Sequence, residues 1–505
     1  MLVFLPIFPV SAAGESLLDN PLRELFVKPL TEAFPKLELR GYLMNESDIL
    51  LHNTGDTPLG GGRHLPIHQQ FQRIEWVGEL RYKYYFTPNL TLVGQLDFLY
   101  DASFDWQKRA LGKDAAPERE LESFHSFRRW FREAYLLWST GDWELRLGKQ
   151  QIVWGKATDI GHFVDQAHGY DLRELHDTAV DDTELTRRTV WMADISYYLA
   201  NTPVGDLEVE LLWIPDYEES VYAPSPYLQS TAFIFRNRSR GLRFLKTDKP
   251  SASFKNHEWG ARLSTFTKGG WDLGLYFLYM WEKAPTNFIK GIDVAALRAG
   301  RPWVVVEPKP ARMTMLGGTV EKMHHFLGKD WTLRGELAYF LNRYRATRNE
   351  QPQARDIVAG FLAPGKDGYA RRDEMRWALN AETTFKPPFV PGPSDWILTT
   401  WMSVYNYFGY DNDQTEMGKT LDKWQTFGIV SISKGFWNER ANFSTAIAYN
   451  DGGSWRFAGP KLTYEFTNTF NVGVGYSGYA GNRDDVWGWG DRNFDEIQIE
   501  LTYTF

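Results

Sequence analysis

Residues 70–100 read QFQRIEWVGELRYKYYFTPNLTLVGQLDFLY. In an extended strand successive side chains point to opposite faces. Ile74, Trp76, Gly78, Leu80, Tyr82, Tyr84 and Phe86 therefore share one face, and Arg73, Glu75, Glu79, Arg81 and Lys83 share the other. Thr87, Pro88 and Asn89 break the run, after which Leu90, Leu92, Leu96, Phe98 and Tyr100 alternate with Thr91, Gln95 and Asp97. Two alternating runs joined by a tight turn predict a β-hairpin with one apolar and one hydrated face. A soluble antiparallel sheet has the same local signature, so the fold is decided by what the rest of the chain repeats.

The alternation recurs in DWELRLGKQ (142–150), WDLGLYFLYMW (271–281), WTLRGELAYFL (331–341) and the closing DEIQIELTYTF (495–505). About 18 such segments (roughly 16–18) are counted along the chain. The links between them alternate in length. Short ones such as TPN, TGD, KGG and LGKD lie between long ones spanning 45–69, 101–125, 153–185, 215–254, 282–308, 345–371 and 481–492. Tight turns on one side and long loops on the other are the asymmetry of outer-membrane barrels. A β-propeller would instead repeat every ~40–50 residues, and no such repeat is seen. The expected fold is an all-β, transmembrane antiparallel barrel, closed because hydrocarbon offers no partner to an unpaired peptide group.

Composition agrees. Aromatic residues make up 16% of the 505 residues, yet the apolar fraction is only 43% and mean hydropathy is −0.42, as suits a wall that is greasy on one side only. No stretch approaches the roughly 20 apolar residues of a membrane helix. There is no Cys, which favours stabilisation by continuous backbone pairing. A net charge of −8 gives no concentrated basic surface for nucleic acid. The opening MLVFLPIFPVSAA reads as the apolar part and cleavage site of a secretory signal, so residues 1–13 are expected to be a signal-peptide remnant. Residues 14–35 form a periplasmic N-terminal segment, either a short amphipathic helix with Leu22, Leu25, Phe26 and Leu30 on one side and able to plug the barrel, or a disordered lead. The barrel occupies 36–505.

The third long link begins RLGKQQIVWGKATDIGHFVDQAHGYDLRELHD and follows the fifth strand. Its Gly148, Lys149, Gln150, Trp154, Gly155, Asp165, Asp171, Leu172 and Arg173 resemble a motif of a large proteobacterial outer-membrane barrel family known only as a domain of unknown function. It is more distantly similar to alginate-export and porin-type barrels. Lys156 stands where that family has Glu, and His168-Gly169 stands where it has Asn-Pro. The resemblance implies a surface loop folded back into a pore, with Trp154, Lys156, Asp159, His162, Asp165, His168, Asp171 and Arg173 as candidate constriction residues. The alternative is a loop pinned by its own ion pairs. The apolar alternation ending in Leu501, Tyr503 and Phe505 resembles the assembly signal read by the outer-membrane insertion machinery.

The inward parity supplies candidate pore-wall residues Arg73, Glu75, Arg81, Lys83, Arg146, Arg334, Glu336 and Arg376. Both signs are present, so neither strong anion nor strong cation selection is expected. No metal site is expected, since His162, His168 and His176 lack ligand spacing and no Cys accompanies them. No nucleophile with an adjacent base is proposed by any local motif, so an enzyme is not expected, and no cofactor. Arg236, Arg238, Arg240 and Arg243 offer contacts to lipopolysaccharide phosphates, or simply a solvated loop. The expected function is an outer-membrane channel for passive passage of a small or hydrophobic solute, narrowed or gated by the loop at 153–185, with lipid and lipopolysaccharide as surroundings. The alternative is a structural sleeve housing a partner for export or electron transfer.

Overall fold

The computed structural model describes residues 21–51, 71–111, 130–156, 163–171, 186–221, 242–245, 247, 249–251, 253–284, 286–298, 304–347, 369–387, 395–410, 415–416, 419–420, 422–481 and 495–505. Eighteen of its strands make one sheet. In chain order they are β1 (Leu37–Leu50), β2 (Phe71–Thr87), β3 (Leu90–Asp101), β4 (Phe131–Thr140), β5 (Trp143–Gln150) and β6 (Val190–Leu199). There follow β7 (Gly205–Ile214), β8 (Glu258–Thr267), β9 (Trp271–Trp281), β10 (Arg312–Phe326), β11 (Lys329–Ala346) and β12 (Tyr369–Phe385). The last six are β13 (Trp396–Tyr407), β14 (Trp424–Phe436), β15 (Ala441–Asn450), β16 (Ser454–Thr467), β17 (Phe470–Gly481) and β18 (Glu496–Thr504).

Each strand pairs antiparallel with its sequence neighbours, and β1 pairs with β18 from Tyr42↔Thr504 to Leu50↔Glu496. The sheet is thus a closed barrel with no edge, as the alternation requires. At the seam Gly41 and Phe505 exchange backbone hydrogen bonds of 3.0 and 2.8 Å. The Phe505 ring lies over Gly41, where a Cβ would stand 2.7 Å from it and closer still to the Glu79 carbonyl of β2; a larger residue there would crowd both.

The sorting of the two faces follows the sequence parity. Outside, Leu147, Leu211, Leu275, Leu379, Val430 and Val474 are exposed along the middle of the wall. Exposed rings gather at both ends: Trp76, Trp191, Trp259, Trp424 and Trp455 towards the long loops, and Phe86, Trp143, Trp271, Phe326 and Phe466 towards the short turns. An apolar band between two aromatic girdles is the surface a barrel presents to a bilayer. No described helix is long and apolar enough to cross a membrane.

The lumen is not uniformly polar. Facing inward from β6 to β15, Met192, Leu212, Leu278, Met315, Phe340 and Phe427 join one buried apolar cluster. Towards the short turns the same strands carry charges, including Arg262 paired to Glu208 at 2.7 Å and to Glu210 at 2.6 Å. Towards the long loops Lys283 pairs with Glu258 at 2.7 Å, and Glu374 takes Arg343 at 3.0 Å and Arg376 at 2.6 Å. Before β1, a π-helical turn Arg23–Val27 runs into an α-helix Lys28–Ala33.

Candidate functional site

The β5–β6 connection enters the lumen and covers its apolar sector. Ile152, Trp154, Phe163, Val164 and Ala167 are buried in the same cluster as the inward side chains of the wall. Burying a side chain the size of Phe163 or Val164 contributes roughly 1.5–3 kcal/mol relative to water, so the docked position is held first by desolvation. The wall makes room for it. A Cβ on Gly317 of β10 would lie 2.4 Å from Val164 Cγ1, and one on Gly260 of β8 would lie 3.1 Å from the Trp154 ring. Glycine inside a strand marks a close approach of other atoms; at Gly317 the nearest belongs to the loop, and at Gly260 the Trp154 ring shares the space with the wall's Leu212 and Leu278.

Polar contacts then fix the register. The Trp154 indole N–H points at the Glu210 carboxylate, 3.2 Å from each oxygen, and its ring centroid is 5.4 Å from that of Tyr276. One carboxylate of β11 holds two points of the loop: Glu336 Oε2 accepts the Lys156 N–H at 3.1 Å and Oε1 accepts the Val164 N–H at 2.9 Å. The Lys156 ammonium pairs with Asp272 of β9. A Glu in place of Lys156, as in the resembling motif, would set two carboxylates against each other there. Phe163 packs edge-on to Tyr405 of β13 at 5.3 Å, and the Arg376 guanidinium lies over Phe163, Phe340 and Tyr405 at 5.8, 4.8 and 4.9 Å.

A second anchor is formed by Asp165 and His168. Arg187 donates to Asp165 through Nε at 3.0 Å and Nη2 at 2.9 Å. Burial nonetheless raises the Asp165 carboxyl to about 7, opposed chiefly by Arg187. His168 is a neutral spacer: Nε2 accepts the Ile152 N–H at 2.9 Å, and Nδ1 stands 3.1 Å from the Arg188 carbonyl, which requires the proton on Nδ1. Burial pushes it down to about 3. With both ring nitrogens engaged, His168 has no lone pair left for a metal. Asp171 closes the described loop through its N–H to Thr186 O at 2.6 Å. Gly169 pairs with Arg188, and a Cβ there would sit 2.6 Å from Glu218 O; the bulkier Pro of the resembling motif does not fit this backbone.

The described loop candidates Trp154, Lys156, Asp165, His168 and Asp171 are thus brought together inside the barrel, while Asp159, His162 and Arg173 lie outside the described residues, as do residues 1–20, His176, Arg236, Arg238 and Arg240. The wall candidates divide. Glu336 and Arg376 lie against the loop. Arg334 stays on the wall beside Asn380 Oδ1 at 2.9 Å and Glu382 at 3.5 Å. Arg146 pairs with Glu144 at 2.7 Å and Asp194 at 3.8 Å. Arg73 pairs across to β1, with Asp48 at 2.8 Å and with Glu46. Glu75 is buried nearby, Arg81 bonds Glu79 at 3.1 Å, and Lys83 is exposed near the short turns. Among the described residues no group of three His, Asp or Glu is placed to hold a metal. Glu210, Gly260, Gly317 and Arg187 were not singled out by sequence reasoning. A Gly-Gly pair inside β10 was the one signal available.

A family model described as Protein of unknown function (DUF1302) matches residues 71–505. The chain belongs to that family. No curated protein matches its sequence. Among solved structures, OccAB1 of Acinetobacter baumannii is similar to this DUF1302 chain at 10% identity and a TM-score of 0.47, over 94% of this chain and 97% of that one. OpdK of Pseudomonas aeruginosa, crystallised with vanillate, gives 9% and 0.44 over 94% and 99%. OmpF of Salmonella typhi, in complex with daunomycin, gives 11% and 0.39 over 93% and 97%. Each is a likeness of chain path.

Proposed function

We propose that this DUF1302 barrel is an outer-membrane channel for passive passage of a small solute, narrowed by its β5–β6 loop. An 18-stranded barrel is wide enough for an aqueous lumen, and its outer surface suits lipid. The observation that carries the reading is the Glu336 carboxylate, which clamps the loop across the lumen at two backbone N–H groups. Because this one side chain bridges two points of the loop, changing it loosens the loop at both without touching the strand pairing of the wall. The sleeve reading is disfavoured by the same feature, because the chain fills part of its own lumen and leaves less room for a protein partner.

The test is conductance in a planar bilayer together with uptake of a small uncharged solute by loaded vesicles. Glu336→Gln keeps the shape but replaces one acceptor oxygen by an N–H₂ that opposes a loop N–H. It removes charge-assisted hydrogen bonds worth about 1.5–3 kcal/mol each. The native protein is expected to give small, steady steps, and the variant steps several-fold larger with faster solute uptake. No passage through either protein, or equal steps from both, would overturn the proposal.

A further inference from the structure

The helical segment before β1 has no part in the lumen site. We infer that residues 21–34 form a membrane-surface helix, lying in the phospholipid leaflet at the short-turn end beside the β1–β18 seam. The inference rests on reading the wall as lipid-facing.

Three observations carry it. The first is position. The Leu22 backbone lies against the Tyr503 hydroxyl. Tyr503 sits opposite Leu43 on β1 and Phe470 on β17, with the parity of the exposed Leu43 and Ile497, so the helix is held to the outer face of the barrel. The chain that leaves its C-terminal end is tied to the wall, since the Tyr85 N–H bonds Lys36 O at 3.0 Å and the Lys36 ammonium bonds Phe86 O at 3.1 Å.

The second is the distribution of side chains. Val27 alone is buried. Leu25, Phe26, Leu30 and Phe34 are 67%, 62%, 45% and 52% exposed, whereas Glu24 and Lys28 pair with each other at 2.9 Å along the helix. Four large apolar groups within ten residues, uncovered by the protein, form a patch that soluble surfaces rarely tolerate. The third is continuity. The segment joins the wall at its ring-rich end, where Lys36 bonds Phe86 O at 3.1 Å and the Phe86 ring is also exposed. A short helix that carries large exposed apolar groups together with mixed charges is suited to the boundary between headgroups and acyl chains rather than to crossing it.

The absence of Cys allows single nitroxide labels. Labels at Leu25→Cys, Phe26→Cys, Glu24→Cys and, as the wall reference, Leu275→Cys would be placed in protein reconstituted into phosphatidylethanolamine–phosphatidylglycerol bilayers, with folding checked by heat-modifiable migration. The expected result is that labels at positions 25, 26 and 275 collide several-fold more with oxygen than with a water-soluble nickel chelate, and that the label at 24 does the reverse. Positions 25 and 26 open to the chelate, or shielded from both reagents as a plug inside the barrel would be, would overturn the inference while a lipid-exposed 275 leaves the channel reading standing. A chelate-exposed 275 would remove both.

Discussion

At the scale of single residues the loop is held by groups whose protonation matters in opposite directions. His168 is neutral in the fold, lowered from 6.5 to about 3 by burial. A base depressed in the folded state contributes stability that is complete above its unfolded pKa and is lost as pH falls, here between about 6.5 and 3. Asp165 is raised from 3.8 to about 7, so its contribution is full at low pH and lost as pH rises across that interval. Comparing the native protein with His168→Asn isolates the histidine. Protease cleavage of the loop should increase from pH 7 to pH 5 more steeply in the native protein than in the variant, and parallel curves would show that His168 does not titrate this way. Neither role was legible beforehand. The motif singled out both residues, and Glu336 was readable as inward-facing from its parity with Arg334, but the loop atoms that Glu336 holds are 172 and 180 residues away in sequence. Periodicity reports which face a residue occupies and is silent about what crosses the lumen to meet it.

At the scale of elements, the apolar outer parity of most strands was written in the chain, because every crossing strand must keep that face in oil, while segments such as those near Trp130 and Ile429 did not declare a face. The hairpin of β2 and β3 is the clearest case: Trp76 and Phe98 emerge outside, and Arg73, Glu75 and Gln95 inside. The apolar lumenal sector was not foreseen, since Met315, Phe340 and Phe427 occupy positions that parity alone assigns to water. They are explained by the loop that covers them. That makes Gly317 on β10 a sensitive point. Gly317→Val should push Val164 outward and raise conductance several-fold with the barrel still closed, as judged by its migration without heating. Unchanged conductance would mean that the loop accommodates the added methyl groups.

At the scale of the whole molecule, stability depends on the outer surface as much as on pairing. Leu275 is 63% exposed at the middle of β9, and Leu275→Arg is expected to cost about 2–4 kcal/mol on refolding into lipid. Leu327→Arg, in the turn between β10 and β11, is expected to stay within about 0.5 kcal/mol. Denaturant titration in vesicles compares the two, and equal costs would argue against a hydrocarbon environment for β9. The docked loop adds a mechanical consequence. It leaves the wall between β5 and β6, touches β7 through Glu210, β11 through Glu336 and β13 through Tyr405, and so acts as a tie-rod across the cylinder. Slackening it, as Glu336→Gln would, is expected to let the cross-section breathe and to quicken amide hydrogen exchange along β11.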